Sequence, residues 1–323
     1  MFDYLGVGGL VFVAAFFGWL TTRAGRLRRA WLKWPAVILS GLVTLLGAAG
    51  LGLALVGFSR LNALQPNPVA AVQVAGTPAQ LERGERLAQF CALCHSPNEA
   101  LPLSGRNLGE GGLPMGAFYA PNLTPAHLKD WSDGEIIRAI REGVGRTGRP
   151  LAVMPTDVLR HLSDADAQAL VAFLRSQPAV ESDFPPTQFN VIGAALVGAG
   201  MLPFYNQPAI TGPVTAPPAG VSPEYGQYLT SILYCQLCHG ERLTGDQAGN
   251  GPPPGPNLTT RVPKWTEAQF TALFRDGLTP GGTPVDENAG MPWKLLGQSM
   301  SADDLRAMYA YLSALTPEAD SAQ

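Results

Sequence analysis

Hydrophobic and polar positions divide the chain into an apolar N-terminal part and a longer part in which short amphipathic runs alternate with turns. From Tyr4 to Leu20 and from Pro35 to Phe58 no residue is charged. A hydrocarbon core of about 30 Å takes about 20 apolar residues in a helix. The second run spans it readily, and the first does so once its ends reach Phe2 and Thr22. Between the runs lie Arg23, Arg26, Arg28, Arg29 and Lys33. Basic loops stay cytoplasmic, so residues 1–60 read as a transmembrane helical hairpin with a cytoplasmic loop at 21–34, and everything after Phe58 lies outside. The alternative is a late secretory signal, but the second run exceeds an h-region of about 7 to 15 residues and no convincing small-x-small cleavage site follows it before Gln65. This favours two retained helices.

Beyond residue 60 the apolar positions recur at helical spacing, as in Ile136, Ile137 and Ile140 or in Leu305, Met308, Tyr309 and Leu312. Helix starts are legible in Ser132 with Glu135, Ser163 with Asp166, Thr266 with Gln269 and Ser301 with Asp304, each an N-cap followed three residues later by its reciprocal partner. Most landmarks occur twice. Pro121-Asn122-Leu123-Thr124, Trp131, Met154-Pro155 and SDADAQALVAFL have counterparts in Pro256-Asn257-Leu258-Thr259, Trp265, Met291-Pro292 and SADDLRAMYAYL. Two copies of one helical unit account for this. The expected fold class is mainly α: the transmembrane hairpin, a linker at 61–78, one unit at 79–180, a connection at 181–220 and a second unit at 221–323. The connection holds VIGAALVGAGMLPF from 191 to 204, too short to span a bilayer. It is expected to form a short helix on the membrane surface or against a partner subunit, the alternative being burial between the two units. The Pro-rich run to Pro218 reads as extended linker.

Composition agrees with a part in lipid. Charged residues make up 15% of the 323, against roughly 25% in soluble domains. Lys and Arg number 22 against 25 Asp and Glu, a net charge of -3, which excludes a basic nucleic-acid binder and an acidic disordered tail. The outer part holds 16 bases against 24 acids, so electrostatic docking there favours a basic partner.

The four cysteines occur as Cys91-Ala-Leu-Cys94-His95 and Cys235-Gln-Leu-Cys238-His239, in a chain with only four His. This is the attachment motif of c-type haem. Two thiols three residues apart share one face of a helical turn, where each can form a thioether to a porphyrin vinyl group, and the adjacent His can reach the iron. Two disulfides would leave the His behind each pair unexplained. A zinc site from the two pairs would have to join segments 144 residues apart that each sit in a complete unit. The expected cofactors are therefore two covalently bound haem c, held by Cys91, Cys94, Cys235 and Cys238, with His95 and His239 on the irons.

A Met thioether is the soft sixth ligand that raises a haem's potential. Of seven Met, only Met154 and Met291 precede a Pro, and both stand just ahead of the closing helix of their unit. They are the expected second axial ligands. His127, His161 and Met115 are rivals at the first haem without counterparts in the second unit, and Met300 reads as a core residue beside the N-cap Ser301.

These residues resemble the class I type cytochrome c fold. The first unit resembles the cytochrome c subunits of membrane-bound alcohol and aldehyde dehydrogenases, on its CxxCH, APNLT with Trp131-Ser132-Asp133, REGVGRTGRPL before Met154-Pro155, and HLSDADAQALVAFLRS. The resemblance spans roughly residues 80–210; the second unit is similar to cytochrome c domains in general. It implies the same axial ligands, and it implies that Gly84 and Gly226 let the first and last helices of each unit cross closely. Such subunits are periplasmic electron carriers, usually with three haems and a signal peptide. The expected function is single-electron transfer, without catalysis by the chain itself, on the periplasmic side of the bacterial cytoplasmic (inner) membrane. The expected partners are membrane-embedded subunits of an electron-transfer complex and a soluble redox protein, with the lipid bilayer and without nucleic acid. A quinol-oxidising complex is the first expected donor, and an oxidase, a reaction centre or a soluble cytochrome the acceptor. A periplasmic dehydrogenase is the alternative donor. A five-coordinate haem that reduces peroxide or binds a gas is the alternative chemistry.

Overall fold

The computed structural model describes residues 3–109, 114–202, 207–245, 255–286 and 290–319, and it is mainly α. Two helices, α1 (Tyr4–Ala24) and α2 (Ala30–Asn62), pack as an antiparallel hairpin, and both are long and apolar enough to cross a membrane. Asp3 caps α1 through the Gly6 amide. Small residues bring the helices together, with Gly47 against Ala14 and Gly18 against Thr44, and Thr21 Oγ1 donates to Ser40 Oγ at 2.9 Å. The turn is only 25–29, tighter than the expected loop, because Arg23 and Lys33 belong to the helix ends. There they lie over the Trp19 and Trp34 rings at 5.1 and 5.5 Å.

The first unit consists of α3 (Pro78–His95), β1 (Arg106–Asn107), β2 (Gly116–Ala117), β3 (Tyr119–Ala120), α4 (Pro125–Leu128), α5 (Asp133–Glu142), α6 (Thr156–Leu159) and α7 (Asp164–Ser176). Then come β4 (Gln188–Phe189) and α8 (Val191–Gly198). The second unit holds α9 (Pro223–Ile232), α10 (Gln236–His239), α11 (Leu258–Arg261), a 3-10 turn (Val262–Lys264), α12 (Glu267–Arg275), α13 (Trp293–Ser299) and α14 (Ala302–Ser313). The strands make two antiparallel ribbons, Arg106 opposite Ala120 and Gly116 opposite Phe189. The apolar segment of the connection is helical in α8; its last two residues, Pro203 and Phe204, lie outside the described residues.

All four expected N-caps accept a hydrogen bond from the third residue of their helix. Three complete the reciprocal box; at Ser163 the Asp166 carboxylate is drawn away by Arg83 and Tyr228. In both units the first and last helices cross where a glycine stands. A Cβ on Gly84 would fall 1.9 Å from the Ala169 carbonyl oxygen, and one on Gly226 would fall 2.0 Å from that of Ala307. After α5 and α12 the same tight turn recurs, with left-handed Gly143 and Gly277 and the bridges Val144 to Pro150 and Leu278 to Pro284.

The two units are joined reciprocally. α13 of the second packs on α3 of the first, and α6 of the first packs on α9 of the second, so each unit offers its first helix to the short helix after the other's Met-Pro. One apolar core runs through both. Where the units meet, Arg83 donates from Nε and Nη2 to Asp166 at 2.8 Å each and lies 3.7 Å from Asp304. The Tyr228 hydroxyl donates to Asp166 at 2.7 Å and accepts from the Ser163 amide at 3.0 Å. Arg83, Ser163, Asp166 and Asp304 border a cleft of about 740 Å³, closed on one side by residues of the 214–220 segment.

Neither connecting segment hangs free. The Gln65 amide donates to Gly148 O and Asn67 Nδ2 to the Glu142 carboxylate at 2.7 Å, while Arg138 donates to Asn67 O. From the other connection, the Ile210 amide donates to the same carboxylate at 3.0 Å. The buried Glu142 thus ties both segments to the end of α5.

Burial pushes the Tyr225 phenol up to about 12, and Tyr228 is raised by burial and by Asp166. An acid whose folded value is raised contributes stability that is present below its ordinary value near 10 and lost as pH climbs through the folded value. The unfolding free energy of the protein should fall between pH 10 and 12, by up to about 1.4 kcal/mol per pH unit for each tyrosine. The double variant Tyr225→Phe, Tyr228→Phe should be less stable at pH 7 yet flatter on this limb. Denaturant titrations of both proteins across the window check this, and parallel curves would refute it.

Candidate functional site

In the first unit the CxxCH residues form the last turn of the continuous helix α3. In the second, the first cysteine stands nine positions after the crossing glycine rather than seven. The extra length is absorbed by a break after α9, where Tyr234 takes a left-handed φ of 61°, and the motif continues as α10. The four thiols are unpaired. Burial pushes Cys91 and Cys235 up to about 12, each helped by the neighbouring thiol of its pair. Among the described residues no three His, Cys, Asp or Glu converge on a point that could hold an ion.

Both imidazoles are held in the same way. His95 Nδ1 is 2.9 Å from the Pro121 carbonyl oxygen, and His239 Nδ1 is 2.8 Å from that of Pro256. A carbonyl can only accept, so Nδ1 carries the proton and Nε2 keeps its lone pair for a metal. Burial lowers both imidazoles from their ordinary range, which favours the neutral form that ligation needs. Gly255 leaves room for the second ring, since a Cβ there would lie 2.6 Å from His239 Nδ1.

The repeated Pro-Asn-Leu-Thr explains itself here. Its Pro supplies the carbonyl, and its Asn and Thr fasten the loop to the chain beyond the last helix of the unit. Asn122 Nδ2 donates to Val180 O at 2.7 Å and the Val180 amide to Thr124 Oγ1. Asn257 Nδ2 donates to Glu318 O at 3.0 Å and the Glu318 amide to Thr259 Oγ1. Sequence reasoning noticed the repeat without seeing that it positions the histidines.

Met154 and Met291 are half-buried against the core that also receives Cys91 and Cys235. Each is followed by a Pro that caps the next helix, and each carbonyl accepts from the amide two residues on, both at 2.8 Å. Each is preceded by a left-handed residue, Val153 at φ 84° and Gly290 at φ 75°. For a β-branched residue this costs on the order of 1–3 kcal/mol, so the first unit holds its Met turn against strain. Among the rivals, His127 and His161 are exposed, and Met115 sits in a separate cluster with Phe118 and Phe189. Met300 is buried in the core as expected. The donor set therefore fits a haem in each unit.

Comparison with known proteins agrees. Residues 81–178 match the family Cytochrome c, and residues 222–312 match Cytochrome C oxidase, cbb3-type, subunit III. The chain is 29% identical to a nicotinate dehydrogenase subunit of Pseudomonas putida over 74% of its own length and 22% of that protein's. It is 35% identical to a diheme cytochrome c-type protein of Cereibacter sphaeroides, covering 31% of this chain and 36% of the relative. With the cytochrome c subunit of an alcohol dehydrogenase (quinone) of Gluconobacter oxydans the identity is 25%, over 83% of this chain and 59% of that one. The chain thus spans less than two thirds of each of these relatives.

The left-handed pair makes a local prediction. Gly290→Val should lower stability by about 1–3 kcal/mol and disturb the absorption of one haem, whereas Val153→Gly should leave the spectrum intact. Chemical denaturation with the visible spectrum as readout tests both; a harmless Gly290→Val would contradict the need for this turn.

Proposed function

Starting from a dihaem cytochrome c, with one covalently bound haem c in each of two cytochrome c domains, we propose that the chain is a membrane-anchored relay that accepts electrons singly from a dehydrogenase. On this reading the domains are 79–180 and 221–323, carried on the hairpin 1–60 in the bacterial inner membrane with the haems on the periplasmic side. Cys91 and Cys94 bind one haem and Cys235 and Cys238 the other, with His95 and Met154, and His239 and Met291, as axial pairs.

Haem supplies the one-electron couple. What the chain supplies is orientation and exclusion of water. Pro121 and Pro256 fix the imidazole tautomers, and the paired Met turns offer a soft ligand that favours the reduced state. With both axial positions filled, no iron coordination position remains for a substrate, and the role is electron transfer. The observation that carries the reading is the matched pair of carbonyl-held histidines, each behind two free thiols. Of the two donors expected from sequence, the dehydrogenase is favoured by relatives that cover 74% and 83% of the chain and are named as dehydrogenase subunits.

Met154→Leu and Met291→Leu should each remove about half of the weak near-infrared band of Met-ligated ferric haem, and the double variant all of it. Retention of the band in either single variant at full strength would move the ligand elsewhere, and a high-spin band in the native protein would favour a ligand-binding haem. Gentle solubilisation should recover the chain with a dehydrogenase polypeptide whose substrate reduces both haems. Reduction only by quinol, through a quinol-oxidising complex, would reverse the choice of donor.

A further inference from the structure

Helix α8 belongs to neither haem domain's core. Its sequence, VIGAALVG, is uncharged, and the chain stays uncharged through Leu202. It packs on the outer end of the hairpin at backbone contact. A Cβ on Gly57 would fall 1.8 Å from the Ala194 carbonyl oxygen, and one on Gly198 would fall 2.0 Å from that of Leu53. Its first residue, Val191, meets Gly6 of α1. α8 therefore runs antiparallel to α2, and its C-terminal end is the deeper one.

Depth follows from charge. Along α2 the uncharged run lies between Lys33 and Arg60, and its 26 residues measure about 39 Å against a hydrocarbon core of about 30 Å. Centred in that core, the run leaves roughly three residues beyond each face. Leu53 is then inside the hydrocarbon, Gly57 stands at its edge, and the end of α8 beside Leu53 is inside as well.

The ends of α8 are built for such a place. A helix leaves its first amides and last carbonyls to solvent, but lipid supplies no partners. Here Val191 N donates to Asp3 Oδ2 at 2.9 Å, Ile192 N and Gly193 N donate to Asn190 Oδ1 at 3.0 Å each, and Ala194 N donates to Asn190 O. At the other end Ala195 O accepts from Ala199 N, Leu196 O from Met201 N, and Val197 O from Gly200 N. Arg60 Nη1 adds bonds to Val197 O at 3.0 Å and Gly198 O at 3.4 Å. All four amides and all four carbonyls are thus met by protein, while Ile192 and Met201 are 51% and 60% exposed with no polar group to place in water.

We propose that α8 and the turn through Leu202 are a half-spanning element that enters the outer leaflet, its exposed apolar side chains lying among lipid acyl chains. The element is tied to the first haem domain by the β2–β4 ribbon and by the Asn190 bond to Met115 O. The domain would therefore be held to the bilayer by a third insertion as well as by the hairpin. This rests on the reading that α1 and α2 cross the membrane.

The test uses the full dihaem chain reconstituted in phosphatidylcholine and phosphatidylglycerol vesicles. A nitroxide is placed at one new cysteine, Met201→Cys, Ile192→Cys, Leu46→Cys in the middle of α2, or Val221→Cys on the second domain. Each variant is checked for an unchanged haem spectrum. Accessibility to oxygen against a polar nickel chelate then reports lipid or water. The expected result is a several-fold excess of oxygen accessibility at 201 and 46, a smaller one at 192, and the reverse at 221. Chelate accessibility at both 201 and 192 with 46 in lipid would overturn the half-spanning element alone. Chelate accessibility at 46 would overturn the membrane reading beneath it.

Discussion

Each haem domain is organised around a single hydrogen bond, from an imidazole Nδ1 to a proline carbonyl. The bond decides which ring nitrogen is left for iron, and it does so only if the carbonyl stays put. Much of the geometry that the two domains share serves that end. The carbonyl belongs to a loop whose Asn and Thr are fastened to the chain after the last helix. The last helix is placed by crossing the first at a glycine that tolerates backbone contact. The first helix carries the histidine itself in one domain, and leads across a break to it in the other. The circuit closes on itself, so neither the helix crossing nor the loop can shift without turning the ring.

A second constraint joins the two circuits. Arg83 lies between Asp166 and Asp304, the third residues of the closing helices of the two domains. Burying such a pair costs several kcal/mol per ion, largely offset by its hydrogen bonds, so it contributes little net stability. What it contributes is register: an apolar seam between similar helices would tolerate sliding, whereas a bidentate guanidinium with Tyr228 on the same carboxylate accepts one arrangement. Fixed register matters because electron exchange between two haems depends on their separation.

The cysteine pairs, the hairpin, the four helix starts and the duplication were legible because each rests on local chemistry: a motif, an uncharged run, a cap, a repeated string. The left-handed turn before each Met was not, since Gly290 advertises it and Val153 conceals it. Nor was the role of the Pro-Asn-Leu-Thr loop, whose meaning lies in contacts with residues some 60 positions later. The Pro-rich run to Pro218 was read as an extended linker from its composition. That it and the 61–78 segment are both fastened to the first domain by Glu142, a buried carboxylate that no short motif marks, was not legible. Asp166 shows the same limit from the other side: it has the pattern of a capping partner, yet its carboxylate is claimed by a distant arginine.

These three levels of attachment have one mechanical consequence. Residues 63–77 leave the hairpin and are bonded along α5, and the connection after α8 is bonded to the same helix end before it reaches the second domain. The second domain is in turn joined to the first by the Tyr228 hydroxyl, which donates to Asp166, and by Arg83 beside Asp304. A chain of this length with 37 Gly and 29 Pro has the composition of flexible beads on a string. Its hydrogen bonds argue for one body instead, in which the proline-rich connection serves as a strap: the amides of Gln207, Ile210 and Val214 donate to acceptors on the first domain. In such a body the two haem domains keep a fixed position relative to each other and to the hairpin.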